Sequence, residues 1–224
     1  MMPDRPNAST LAIEYQTLPP FSDSRIVMLH EPASELALRY RLLRHRLFSA
    51  GDPRVVAVTS ARPGQGKTTC ASNLALALAE DTMGRVLLLE ANLRRPALAR
   101  MFGFEPAVSF MGDMARFTRA IPPYRVVGLH GARLHLAALP AVPIYAAYLE
   151  RRFLWAALFD LRRAYDYVVI DAGSVLEGED TDVVAQSVDG ILLARAGASS
   201  KADVRRALDQ LRANTVLGTV LLDV

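Results

Sequence analysis

The chain has 224 residues, enough for one α/β domain and too few for two full ones. Apolar residues make up 51% and charged residues 22%, which excludes a largely disordered chain, while the single cysteine, Cys70, excludes a disulfide framework or a cysteine-rich metal site. The formal net charge of +3 is too mild to point to nucleic acid.

Residues 1–24 are rich in Pro, Ser, Asp and Asn without periodicity and read as a flexible N-terminal tail. No apolar leader is present in it, and the most lipid-like stretch, Leu134 to Leu149, is broken by His135, Pro140 and Pro143. That stretch is also shorter than the roughly 20 residues a bilayer span needs, so a cytoplasmic location is expected. Arg25 to Leu29 has the composition of a short edge strand. Ser34 to Phe48 reads as a helix, with Ser34 as its cap and Leu36, Tyr40, Leu43 and Leu47 at helical spacing.

Gly51, Asp52 and Pro53 then break the chain, and apolar runs of strand length begin to alternate with helical patterns. The expected strands are Val55–Thr59, Val86–Glu90, Leu134–Leu139, Tyr167–Asp171, Ile191–Ala194 and Leu217–Leu222. The clearest helices are Lys67–Glu80, Ala146–Ala164 and Lys201–Ala213. Valine, isoleucine and leucine runs of this kind suit strands covered on both faces. Residues 25–224 are therefore expected to form a single domain with a doubly wound, mostly parallel sheet flanked by helices. Ligand loops in such a sheet gather at its carboxyl edge. The stretch Glu105–Arg133, with Pro122, Pro123, Gly128 and Gly131, has too little periodicity to be placed, and the final strand is expected to be buried.

The segment Val55-Val-Ala-Val-Thr-Ser60-Ala-Arg-Pro63-Gly64-Gln65-Gly66-Lys67-Thr68-Thr69 is a strand, a glycine-bearing loop and a helix start. It carries a phosphate-loop pattern, Ala61-x4-Gly66-Lys67-Thr68. Gly64 and Gly66 let backbone N–H groups turn toward phosphate oxygens, and the helix adds its free amides and positive dipole end. Lys67 can bridge the β- and γ-phosphates of a nucleotide, and the Thr68 hydroxyl can ligate Mg2+. All but two of the 26 basic residues are arginine, and a lysine retained against that bias suits a site needing a compact ammonium. Tyr167-Val-Val-Ile-Asp171 ends in a carboxylate placed for the metal, and Val86–Glu90 ends in another, with Asn92 on the same side. Candidate catalytic residues are thus Lys67, Glu90 and Asp171. Pro63, Gly64, Gln65, Gly66, Lys67, Thr68 and Thr69 are candidates for nucleotide binding, and Thr68, Asp171 and Glu90 for the metal.

These three segments, in this order, resemble the bacterial tyrosine autokinases, the cytoplasmic P-loop half of polysaccharide co-polymerases, which are related to partition and division ATPases. The likeness covers roughly residues 26 to 223. It implies a P-loop NTPase fold, ATP and Mg2+ as cofactors, and phosphoryl transfer to tyrosine. It also implies a transmembrane co-polymerase or adaptor as partner, which would recruit the protein to the inner membrane. The chain departs from the family pattern at several points. The second motif, normally Asp-x-Asp-x-Arg, reads Glu90-Ala-Asn92-Leu-Arg94, and an amide at 92 has no useful proton affinity. Ala-Gly-Ser174 follows Asp171 where Asp-x-Pro-Pro is usual, and Gln65 replaces a glutamate. The terminal tyrosine cluster is missing, leaving Tyr15 as the tyrosine expected to be reachable. The Ser34–Phe48 helix resembles the family's oligomerising helix through Arg41 and Arg44, although arginines on that helix equally suit a solvated face. Three functions stay open: a tyrosine-kinase-like enzyme, a nucleotide switch that regulates a membrane co-polymerase, and a partition-type positioning ATPase.

Overall fold

The computed structural model describes residues 11–16, 22–81, 84–105, 124–139, 158, 160–178, 180–211 and 216–222. Strands without a polar face must lie between two layers, and they form the middle of the sheet. β2 (Val55–Ser60) and β3 (Val86–Glu90) are buried at every position, and β6 (Tyr167–Ser174) at all but one. Side-chain alternation divides their residues between two cores. Val56, Val58, Leu88 and Val169 face one core with Leu74 and Phe102, whereas Val55, Ala57, Leu87, Leu89 and Ile170 face the other with Leu161 and Leu211.

The described strands form one eight-stranded sheet in the order β1-β4-β5-β3-β6-β2-β7-β8. Here β1 is Leu11–Gln16, β4 Tyr124–Leu129, β5 Leu134–Ala137, β7 Gly190–Ala196 and β8 Val216–Leu222. Neighbours run parallel except β4 against β5. The helices are α1 (Val27–His30), α2 (Glu35–Ser49), α3 (Lys67–Asp81), α4 (Leu98–Phe102), α5 (Asp180–Ala185) and α6 (Lys201–Gln210). The Ser34 hydroxyl caps α2 by accepting from Ala37 N, as its position predicts.

The structure corrects the sequence reading at four elements. Leu11–Gln16 lies inside the stretch expected to be a tail and adds a strand to the sheet edge. Val27–His30 is a helical turn rather than a strand, tied down by Asn73, whose Oδ1 accepts from Met28 N and whose Nδ2 donates to the Arg25 carbonyl. β4 emerges from the segment that could not be placed. β8 is not buried but alternates between half-buried and exposed residues, with Leu221 60% exposed, as befits an edge strand. Most of the expected helix Ala146–Ala164 lies outside the described residues. No helix among those described is long and apolar enough to cross a membrane.

Candidate functional site: a phosphate loop beside a buried aspartate

The loop between β2 and α3 takes the shape that its glycines permit. Gly64 and Gly66 sit at φ 74° and 82°, in the left-handed region where a Cβ is disfavoured. A Cβ built on Gly64 meets nothing within 4 Å, so the loop faces open space there. Its side chains brace it from behind. Ser60 Oγ donates to the Arg62 carbonyl at 2.6 Å, and Arg62 N donates to Gln65 Oε1 at 3.1 Å. Gln65 Nε2 in turn reaches Ser199 Oγ at 2.7 Å, and the Arg62 guanidinium grips Asp203 at 3.0 and 3.2 Å. The loop is thus fastened to the turn before α6 and to the first turn of α6, a contact that no local sequence signal announces.

At the head of α3, Thr68 Oγ1 donates to Asp171 Oδ2 at 2.7 Å. Asp171 is fully buried, and its Oδ1 has no hydrogen-bond partner. Burial pushes its carboxyl up to about 7; Lys67 opposes that rise, Glu90 adds to it, and the Thr68 hydrogen bond lowers it. Lys67 is itself buried, and burial lowers its ammonium below the ordinary lysine value against the pull of Asp171 and Glu177. Its Nζ donates to Ser174 Oγ at 3.2 Å, a partner that the sequence reading did not foresee.

Glu90 stands beside Asp171 in the sheet register, but its carboxylate is engaged elsewhere. Oε1 accepts from the backbone N–H groups of Ala97 and Leu98, and Oε2 accepts from Leu139 N at 2.8 Å. Burial raises its carboxyl, and these three bonds lower it. The residue expected as a catalytic and metal-facing carboxylate therefore pins two loops to the sheet. Asn92 Nδ2 donates to the Arg95 carbonyl, and Arg95 pairs with Glu177 across the mouth of the site. Pro63, Gly64, Gln65 and Gly66 form the loop, Lys67, Thr68 and Thr69 follow it in the first turn of α3, and Asp171 joins them through Thr68.

The donor set fits Mg2+ and a phosphate chain. A hydroxyl and a carboxylate oxygen with an unused lone pair suit a hard cation and its waters, and the open side of Gly64 leaves room for phosphate oxygens. Among the described residues, no group of three or more His, Cys, Asp or Glu side chains could hold a metal by itself.

No protein-family model matches the chain. Among curated proteins it is 27% identical over 203 residues to the tyrosine-protein kinase YwqD of Bacillus subtilis, covering 88% of this chain and 84% of that one. It is 25% identical over 190 residues to the tyrosine-protein kinase CpsD of Streptococcus pneumoniae serotype 4, covering 81% and 82%. The succinoglycan biosynthesis transport protein ExoP of Rhizobium meliloti is 28% identical over 182 residues, but the match spans only 22% of ExoP. Among solved structures, the VpsO kinase domain superposes with a TM-score of 0.67 at 28% identity, over 84% of this chain and 96% of that one. The chimerical protein CapA2B2 superposes at 0.78 with 20% identity, covering 92% and 91%. The septum site-determining protein MinD of Pyrococcus horikoshii, solved with Mg-ADP, superposes at 0.60 with 18% identity, covering 75% and 69%. These last two speak for the fold alone. The chain is a divergent relative of the bacterial tyrosine-protein kinases, built on the P-loop NTPase fold.

Proposed function

We propose that this protein binds ATP with Mg2+ at the carboxyl edge of its sheet and transfers the γ-phosphoryl group to tyrosine, in the service of a membrane-embedded polysaccharide co-polymerase. The observation that carries the proposal is the buried pair Thr68–Asp171, with one Asp171 oxygen unpartnered, set against Lys67 and the glycine loop. Lys67 and the loop amides would hold the β- and γ-phosphates, and Thr68 and Asp171 would hold the metal and its water shell. Bound Mg2+ supplies charge neutralisation at the phosphates. Glu90 keeps the neighbouring loops in place, and its tied carboxylate is no longer a candidate base. A groove of about 440 Å³ adjoins Thr69 and runs between α2 and β8, where its lining is largely apolar and includes Leu36, Tyr40, Leu43, Val220 and Leu221. Its volume lies within the range of small-molecule pockets.

A second reading, a nucleotide switch with little transfer, is favoured by the second motif. Asn92 offers no base, and Glu90 is committed to three backbone amides. Incubation with γ-labelled ATP separates the two. Label on tyrosine that disappears in Asp171→Asn supports the kinase. Asn92→Asp, which supplies a carboxylate at the cost of the bond to the Arg95 carbonyl, is expected to raise the rate about tenfold or more, below the full effect of a positioned base. Nucleotide binding without labelled tyrosine in either protein would leave the switch as the function.

A further inference from the structure

We propose that Ser174 is a positioning residue: its hydroxyl holds the Lys67 ammonium clear of Asp171, so that the two buried charges do not close on one another and an Asp171 oxygen stays open to a hydrated metal. The proposal rests on the nucleotide-binding reading above and names a residue that its motifs do not contain.

Regular alternation along β6 would put Asp171 and Ser174 on opposite faces of the sheet. They share a face because β6 is bulged. Val58 pairs with Asp171 and Ser60 with Ser174, so β6 takes three steps where β2 takes two. An inserted residue of this kind re-aims the next side chain. The bulge is held from both sides. Thr59 Oγ1 donates to the Gly173 carbonyl at 2.6 Å, and a Cβ at Gly173 would sit 3.3 Å from Thr181 Oγ1. Ser174 therefore lands on the α3 face, 4% exposed, beneath a lysine that is 7% exposed.

The electrostatics give that placement a purpose. An ammonium and a carboxylate buried together attract strongly, and a direct bond between them would occupy both groups that the phosphates and the metal need. Instead Lys67 donates to Ser174, Asp171 Oδ2 accepts from Thr68, and Asp171 Oδ1 remains unpartnered. One lysine proton is satisfied by a neutral hydroxyl, which leaves the other two for phosphate oxygens. The Gly-Ser pair that replaces Pro-Pro after Asp171 is what makes this possible, since neither proline could carry the hydroxyl.

The test is calorimetric titration of ATP with saturating Mg2+ and with EDTA into wild type, Ser174→Ala, Ser174→Cys and Ser174→Thr, with thermal melts alongside. Loss of the hydroxyl is expected to shrink the affinity gain that Mg2+ confers by about 3–10-fold, the size of one ordinary hydrogen bond. Metal-free affinity should move less. The near-isosteric cysteine, a weak acceptor, should behave like alanine, and threonine should restore the gain. An undiminished Mg2+ gain in both hydroxyl-free variants would overturn the proposal. So would a threonine variant as impaired as alanine while melting like wild type, because volume rather than the hydroxyl would then be at work. Failure of the wild type itself to bind ATP would instead refute the binding reading on which this one stands.

Discussion

Two buried titratable side chains pull stability in opposite directions with pH. Asp171 is raised from 3.8 to about 7, so between those values the native state keeps a proton that the unfolded chain has released. Its contribution makes stability fall as pH rises through that window. His135, lowered from 6.5 to about 4 by burial and then by Arg85, has the opposite sign: below 6.5 the unfolded chain takes up a proton that the native state refuses. Its contribution makes stability fall as pH drops toward 4. Its Nδ1 is bonded to the Tyr165 hydroxyl at 2.8 Å, which fits a neutral ring. From pH 4.5 to 6.5 the two contributions therefore oppose one another, and Glu90, whose carboxyl burial also raises, acts in the same direction as Asp171. Asp171→Asn should therefore make the change of stability with rising pH more positive than in wild type, read by denaturant melts. A curve in that variant shaped like wild type would mean that Asp171 is ionised throughout.

At the scale of elements, Arg41 and Arg44 of α2 are engaged within the chain. Arg41 makes two bonds of 2.7 Å to Glu80 at the end of α3 and a third to the Pro32 carbonyl. Arg44 donates to the Ala77 carbonyl and pairs with Asp81. The residues expected for self-assembly thus fasten α2 onto α3. Arg41→Ala should lower unfolding free energy by about 0.5–1 kcal/mol, the upper range for a partly exposed bidentate pair. No stability change together with a shift in sedimentation would return Arg41 to an intermolecular role.

The elements legible in the sequence are those whose pattern is decided locally. The phosphate loop announces itself through Gly64, Gly66 and Lys67, and β2, β3 and β6 through runs that tolerate no polar face. Less was legible where tertiary contact decides. β1 and β4 are edge-side strands interrupted by polar or glycine residues, and each is defined by its partner. The Val27–His30 turn depends on Asn73, far along the chain. Glu90 looks like a functional carboxylate until the amides of Ala97, Leu98 and Leu139 are seen around it. Ser174 is hidden because a bulge changes the phase of the strand.

Across the whole molecule, the site draws on the carboxyl ends of β2 and β6, while Tyr15 lies on β1 at the far edge, 57% exposed. Five strand spacings separate β1 from β2, roughly 24 Å at the usual spacing, so phosphoryl transfer to Tyr15 from the same chain's loop is geometrically closed and any such transfer runs between molecules. Phosphate binding is the claim on which the rest depends, and titration of Mg-ATP into wild type and Lys67→Ala tests it most directly. The wild type should bind, and the variant should lose affinity by about 100-fold or more, roughly 2.7 kcal/mol, with its circular dichroism unchanged. Equal affinity in the two proteins would contradict the account.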